Sequence, residues 1–304
     1  MRINRPRILW GFYVGMGLAI GMAAFLSTLG EPAKAAPPDN GRGLGRPSGN
    51  GPASANGKGG GNGRINKQSA WQDDFTGGAV DTTRWVIANE QAPGYIAGKH
   101  IGYYLPAHVS VQTGYLVIAL KQENGTVDGL PGVISKGGLI YTKNTYGYGT
   151  YEWRVRMSST ALTPTGSGSP VSGSVSAGFN YINNSQTEID FEFAAHMPGL
   201  LFMVNWYNTN PLTGPFDSQQ TYSTASVPDI STSFKTYKFV WERNRITFSI
   251  NDVFQTSHLT DVPTSPAYFM INHWGTNNPW WGGTGTVGPI RYFYVDWAKF
   301  TPAP

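Results

Sequence analysis

Between residues 69 and 302 apolar and polar residues alternate at every second position, in short runs separated by Gly, Pro, Asn and Asp. The run Tyr151-Glu152-Trp153-Arg154-Val155-Arg156-Met157 is the clearest case. A period of two sends successive side chains to opposite faces of a strand, so that one face meets a core and the other meets solvent or a ligand. No stretch of this region sustains the longer period of an amphipathic helix. Read this way, strands are expected at Leu116–Lys121, Gly137–Thr142, Gly149–Met157, Ser172–Tyr181, Glu188–Ala194, Leu201–Trp206, Thr236–Glu242, Arg245–Ile250, Ala267–Asn272 and Arg291–Phe300. That many short strands in one region fit an all-β, two-sheet antiparallel sandwich.

The residues before this region are of another kind. Met1–Arg7 is basic, Ile8–Gly30 is 23 uncharged and mostly apolar residues, and Ala33-Lys34-Ala35 precedes Ala36. This order reads as a signal peptide over 1–35, cleaved after Ala35, or as an uncleaved membrane anchor built on residues 8–30. Both place the rest of the chain outside the cytoplasm, secreted or extracytoplasmic, because the basic flank comes first. Residues 36–68 are rich in Gly, Pro, Asn and Ser, with ten Gly between Gly41 and Gly63, and read as a flexible linker. The domain expected to carry function spans 69–304.

Composition narrows the chemistry. The 304 residues include no Cys, which excludes disulfide scaffolds, thiol nucleophiles and thiolate metal sites. A net charge of +4 invites a nucleic-acid reading, but nine of the 22 basic residues and only two of the 18 acidic ones precede residue 70. The folded region is therefore net negative, and no nucleic-acid partner is expected. The five His, at 100, 108, 196, 258 and 273, lack the spacing of a catalytic metal site.

One segment stands apart: Thr187-Glu188-Ile189-Asp190-Phe191-Glu192-Phe193. In a strand Glu188, Asp190 and Glu192 share one face while Ile189, Phe191 and Phe193 take the other. Three like charges in a row repel and raise one another's pKa, and acids are poor strand formers even without that repulsion. Two readings remain at this point, a solvated edge and a catalytic row. The second matches the needs of a retaining glycosidase, in which one carboxylate attacks the anomeric carbon and a second carboxylic acid protonates the leaving oxygen.

The row and its surroundings resemble glycoside hydrolase family 16. Gly147-Tyr148-Gly149-Thr150-Tyr151-Glu152, Ser174-Val175-Ser176-Ala177-Gly178-Phe179 and Tyr294-Val295-Asp296-Trp297-Ala298-Lys299-Phe300 are similar to family strands in the same order. The resemblance implies a concanavalin-like jelly roll with a concave substrate cleft. It also implies that Glu188 is the nucleophile, Glu192 the acid/base and Asp190 an assisting group. Asn205-Trp206-Tyr207 and Phe269-Met270-Ile271-Asn272-His273-Trp274-Gly275 are similar to lichenase runs that meet sugars, pointing to Asn205, Tyr207, Asn272 and Trp274. Trp280 and Trp281, in the Gly-rich loop 275–288, are candidate cleft-wall residues, with packing beneath that loop as the other reading. Asp296, with the Gly114 carbonyl, is similar to a structural calcium site, and no cofactor is implied for catalysis. Gln186 and Tyr141 stand where lichenases carry Trp and Arg, a departure that bears on the choice of glucan.

These readings imply a monomeric, secreted, retaining endo-β-glucanase acting on a polysaccharide, either a β-1,3-1,4- or a β-1,3-glucan. Membrane contact is expected only if the N-terminal segment stays uncleaved. A transglycosylase would use the same site, and a carbohydrate-binding lectin the same fold. The intact row of Glu188, Asp190 and Glu192 separates the enzyme from the lectin.

Overall fold

A computed structural model describes residues 68–210 and 218–304. The signal-peptide or anchor reading of 1–35 and nearly all of the linker reading lie outside these residues. Gln68, the last residue assigned to the linker, already belongs to the fold: its side-chain amide donates to the Thr145 carbonyl and accepts from the Gly147 N–H.

The described residues form seventeen strands, numbered in chain order. One sheet contains β1 (Trp71–Asp73), β5 (Val109–Gln112), β6 (Tyr115–Val127), β8 (Gly149–Ser159), β13 (Lys235–Glu242), β14 (Arg245–Ile250), β15 (Val253–His258) and β17 (Arg291–Pro302). The other contains β2 (Trp85–Ile87), β7 (Leu130–Tyr146), β9 (Ser174–Ile182), β10 (Thr187–Ala194), β11 (Leu200–Asn208), β12 (Ser218–Ser226) and β16 (Ala267–Gly275). Across it the order is β2-β7-β16-β9-β10-β11-β12, antiparallel throughout. The second half of β6 and the first half of β7 belong to a smaller third sheet with β3 (Glu90–Ile96) and β4 (His100–Tyr104), where β4 runs parallel to β7. The architecture is the two-sheet jelly-roll sandwich.

Alternation builds two apolar layers. Ile189, Phe191, Phe193, Phe269 and Ile271 of the second sheet meet Tyr151, Trp153, Phe239, Phe248 and Phe300 of the first, forming the main core. Trp153 lies 4.5 Å from Phe269 between ring centroids, and Phe191 packs edge-on to Phe248 at 5.3 Å. Gly178 is required there: a Cβ would come within 2.9 Å of the Trp153 ring. The second layer covers the outer, concave face of the second sheet and includes Leu139, Val175, Phe179, Tyr181, Phe202, Trp206, Met270 and Trp274.

All ten expected strands are present. The seven not anticipated are short (β1, β2, β4, β5), polar (β12, β15) or, in β3, interrupted by Pro93-Gly94.

Candidate active site

The site is built on β10, which lies between β9 and β11. Period-two alternation places Ile189, Phe191 and Phe193 in the core and Glu188, Asp190 and Glu192 on the concave face. Register fixes their neighbours. Glu188 lies between Tyr181 and Trp206, Asp190 between Phe179 and Val204, and Glu192 between Ala177 and Phe202. The three carboxyls are 2%, 1% and 0% exposed, so the row sits at the base of an apolar floor and away from bulk water.

Burial in that floor pushes all three carboxyls above the usual carboxylate range. Glu188 rises to about 7, its desolvation opposed by a hydrogen bond from the Ser185 hydroxyl. Asp190 is raised well above its ordinary value by burial and then by the charges of Glu188 and Glu192. Burial and then Glu188 do the same to Glu192, whose oxygens have no hydrogen-bond partner among the described residues. The environments are therefore unequal. Glu188 alone receives a donor that favours its ionised form, while Glu192 is driven toward the neutral acid.

Ser185 reaches Glu188 because the chain turns sharply ahead of β10. Asn183, Asn184 and Ser185 all have positive φ, between 44° and 59°, which Asn tolerates better than most residues. Such a turn costs free energy and is held by the surrounding fold. The Gln186 N–H donates to the Asn183 carbonyl, and the Asn208 N–H to the Ser185 carbonyl. Ser185, Tyr181 and Trp206 were not singled out by the sequence. Alternation would have found Trp206, the partner of Glu188 across the β10–β11 ladder.

The remaining sequence candidates divide. Asn272 lies on the concave face, in register with Ala177 and through it with Glu192, and its Nδ2 donates to the Tyr104 hydroxyl at 3.1 Å. Asn205 and Tyr207 are corrected: they alternate onto the side opposite the carboxylates, since Asn205 pairs with Ile189, a core residue. Asn205 is held there by structural bonds, donating to the Thr260 and Asp261 carbonyls and meeting His258 Nδ1 at 2.6 Å. Trp274 shares the face of Asn272 but is 1% exposed, sealed beneath β3, where its ring is the nearest neighbour of Gly94. Trp281 is equally buried, edge-on to Phe202 at 4.9 Å, so it packs under its loop and offers no free ring face. Trp280, by contrast, is 72% exposed.

The calcium reading does not fit the residues present. Asp296 lies at an irregularity of the β17–β8 ladder, and its carboxylate is already bonded by the Arg154 guanidinium. Gly114 turns the chain between β5 and β6 with a φ of 81°. The positive charge needed at Asp296 thus comes from the chain itself. Among the described residues no group of three or more His, Asp and Glu side chains gathers to hold a metal.

Comparison with known proteins agrees with this fold. The family model for glycosyl hydrolases family 16 matches residues 102–299. A beta-glucanase of Paenibacillus polymyxa is 32% identical over 170 residues, which span 54% of this chain and 63% of that protein. The endo-1,3-1,4-beta-glycanase ExoK of Rhizobium meliloti is 29% identical over 174 residues, spanning 55% of this chain and 58% of its own. The chain thus spans less than two thirds of the length of these relatives. Among solved structures, the Bacillus licheniformis beta-glucanase aligns with a TM-score of 0.61 at 20% identity, covering 78% of this chain and 99% of that one. The laminarinase catalytic domain from Thermotoga maritima aligns at 0.60 and 18% identity, covering 78% and 98%. At these identities the structural likeness establishes the fold.

Proposed function

The chain belongs to glycosyl hydrolases family 16, and from that premise we propose that it is a secreted, retaining endo-β-glucanase that cleaves internal bonds of a β-1,3-1,4- or β-1,3-glucan. The observation that carries this reading is the buried row on β10 with its unequal carboxyls. Glu188, the one with a hydrogen-bond donor, ionises first and attacks the anomeric carbon as the glycosidic bond breaks. Glu192, kept neutral by burial and by the charge on Glu188, gives its proton to the leaving oxygen. The product of this step is a glycosyl ester on Glu188. Water then attacks the same carbon with Glu192 as base, which restores both groups and the original anomeric configuration. Asp190, between the two, couples their titrations. The sequence uses only carboxyl chemistry, so no cofactor enters.

Trp206 beside Glu188, and the half-buried pair Tyr141 and Tyr268, supply apolar faces for sugar rings along the floor. Exposed Trp280 is placed to meet a longer polymer at the cleft rim. Beta-glucanase relatives and the family match support the substrate class. Support for secretion comes from the basic, apolar and small-residue order of residues 1–36.

The test is reducing-end release from a panel of β-glucans, xyloglucan, agarose and carrageenan, with the anomeric configuration of the first product followed by NMR. Retained product from a β-glucan is expected. Inverted product contradicts the double displacement, and release only from a galactan contradicts the substrate class. An intercepting sugar acceptor in place of water would appear as products longer than the substrate.

A further inference from the structure

Away from the cleft, an edge of the first sheet meets an edge of the second. β1 lies beside β17 and β2 beside β7, and Trp71 of β1 packs edge-on to Trp85 of β2 at 5.6 Å. Next to this contact is a cavity of about 600 Å³, lined by Gln68, Ser69, Trp71, Arg84, Asn144 and Tyr146 with their neighbours. Trp71 and Tyr146 pack with the main core between the sheets, whereas Glu188, Asp190 and Glu192 stand on the outer face of the second sheet. The cavity is therefore a different place from the reacting row. Its walls are held by the fold: the Gln68 amide bonds both the Thr145 carbonyl and the Gly147 N–H, and the Lys143 N–H donates to the Arg84 carbonyl.

The lining is rich in donors and poor in acceptors. The Arg84 guanidinium lies over the Trp71 ring, 4.6 Å from its centroid, which fixes the plane of the cation. No carboxylate pairs with it among the described residues. Asp81, three residues earlier, feels the Arg84 charge only as a lesser influence, and its carboxylate is engaged by the N–H and hydroxyl of Thr83. No acidic side chain lines the cavity. Trp71 Nε1 and Arg84 Nε are shielded from solvent without a hydrogen-bond partner among the described residues.

The acceptor nearest to these donors is the Tyr146 hydroxyl. Burial raises the Tyr146 phenol above its ordinary value, and the charge of Arg84 and the donors on Trp71, Asn144 and Arg84 act against that rise. One phenol oxygen cannot satisfy three donors. A surplus of donors around an unneutralised cation calls for a ligand with several anionic oxygens, and the planar fork of arginine takes two such oxygens side by side. The cavity also exceeds what a bare oxyanion fills, since a water takes only ~30 Å³ in the liquid. The remaining space is bordered by the Ser69 hydroxyl and the Asn144 amide, which suit a hydroxylated body better than an alkyl chain.

We propose that this cavity is a binding site for an acidic saccharide, whose carboxylate or sulfate group is held by Arg84 together with Trp71 and Asn144. The site binds and does no chemistry. It stands independently of the endo-β-glucanase reading, and it would hold an acidic glycan against the protein while the cleft remains free.

The test is calorimetric titration of the full chain with glucuronate, glucose 6-sulfate, glucose and inorganic sulfate. Wild type, Arg84→Met, Arg84→Lys, Asn144→Ala and Glu188→Gln are compared, with thermal midpoints recorded for each. At least one acidic sugar should bind the wild type, the tighter of the two identifying the anionic group, while glucose should give no measurable heat. Arg84→Met should weaken that binding by about tenfold or more, and Arg84→Lys by less, since lysine keeps the charge but loses the fork. Asn144→Ala, at an exposed position that does not depend on the Arg84 and Trp71 contact, should weaken it by about threefold. Glu188→Gln should bind as the wild type does. The proposal is overturned if neither acidic sugar binds, if glucose binds as well as they do, or if inorganic sulfate binds as tightly, an adventitious ion only. Unchanged affinity in both Arg84→Met and Asn144→Ala, or a loss confined to Glu188→Gln, overturns it as well, the latter by placing the sugar in the cleft.

Discussion

The two sheets handle acidic side chains in opposite ways. On the outer face of the first sheet acids are matched to cations: Lys299 to Glu152 at 3.2 Å, Arg245 to Glu242 at 2.7 Å, and Arg154 to Asp296. These pairs are part-exposed, so each contributes little to stability. On the concave face of the second sheet, Glu188, Asp190 and Glu192 sit in a row with no cation beside them. That arrangement opposes folding, and it holds carboxyls near the protonation states that glycoside cleavage needs. The contrast favours the catalytic reading of the row proposed above over a solvated edge, which would show the first arrangement.

The largest effects should come from the row itself. Glu188→Gln and Glu192→Gln should each lower hydrolysis of the preferred glucan by about 10³-fold or more, while leaving oligosaccharide binding, followed by calorimetry, largely intact. Stability should move the other way. With Glu188 raised from 4.5 to about 7, the native state holds its proton more tightly than the unfolded chain. Stability associated with that proton is complete below pH 4.5 and is lost as pH rises through about 7. The loss amounts to roughly 3 kcal/mol. Glu188→Gln removes it, so denaturant titrations should find the variant more stable than wild type at pH 8 and little different at pH 4. A variant less stable at both pH values would mean that the row is a folding element.

A smaller change is expected at Ser185. Ser185→Ala removes the one donor that favours ionised Glu188. The acidic limb of the kcat/KM profile should shift to higher pH, with the rate near pH 6 down by about tenfold. An unmoved limb with the same loss of rate would assign Ser185 to the turn alone.

The smallest change belongs to the other sheet. Arg154→Ala should cost no more than about 1 kcal/mol and leave activity unchanged. Calcium should leave the thermal midpoint of the wild type where it is, because Arg154 already occupies Asp296. Only in Arg154→Ala, with that carboxylate released, should calcium raise it. Equal stabilisation of both proteins would restore the calcium site.

Much of this was legible in the sequence because both its signals are local. Period two marks a strand within a few residues, and it places Glu188, Asp190 and Glu192 on one face without reference to the rest of the chain. Where local signals end, the reading fails in identifiable ways. Asn205 and Tyr207 come from the resemblance to a lichenase run, but alternation on β11 turns Trp206 to the carboxylates in their place. Trp274 and Trp281 look like platforms until β3 and the 275–288 loop cover them, which is a long-range contact. Asp296 reads as a metal ligand until Arg154 of β8 arrives beside it.

The central claim is that Glu188 and Glu192, only four residues apart, do different chemistry because their surroundings differ. Azide rescue tests it most directly. With Glu192→Ala and an aryl β-glycoside whose leaving group needs no protonation, Glu188 should still be glycosylated. The intermediate should accumulate, and azide should release it as a glycosyl azide of retained configuration. With Glu188→Ala azide should attack directly and yield the inverted product. Retained product from the Glu188 variant and inverted product from the Glu192 variant would contradict the account.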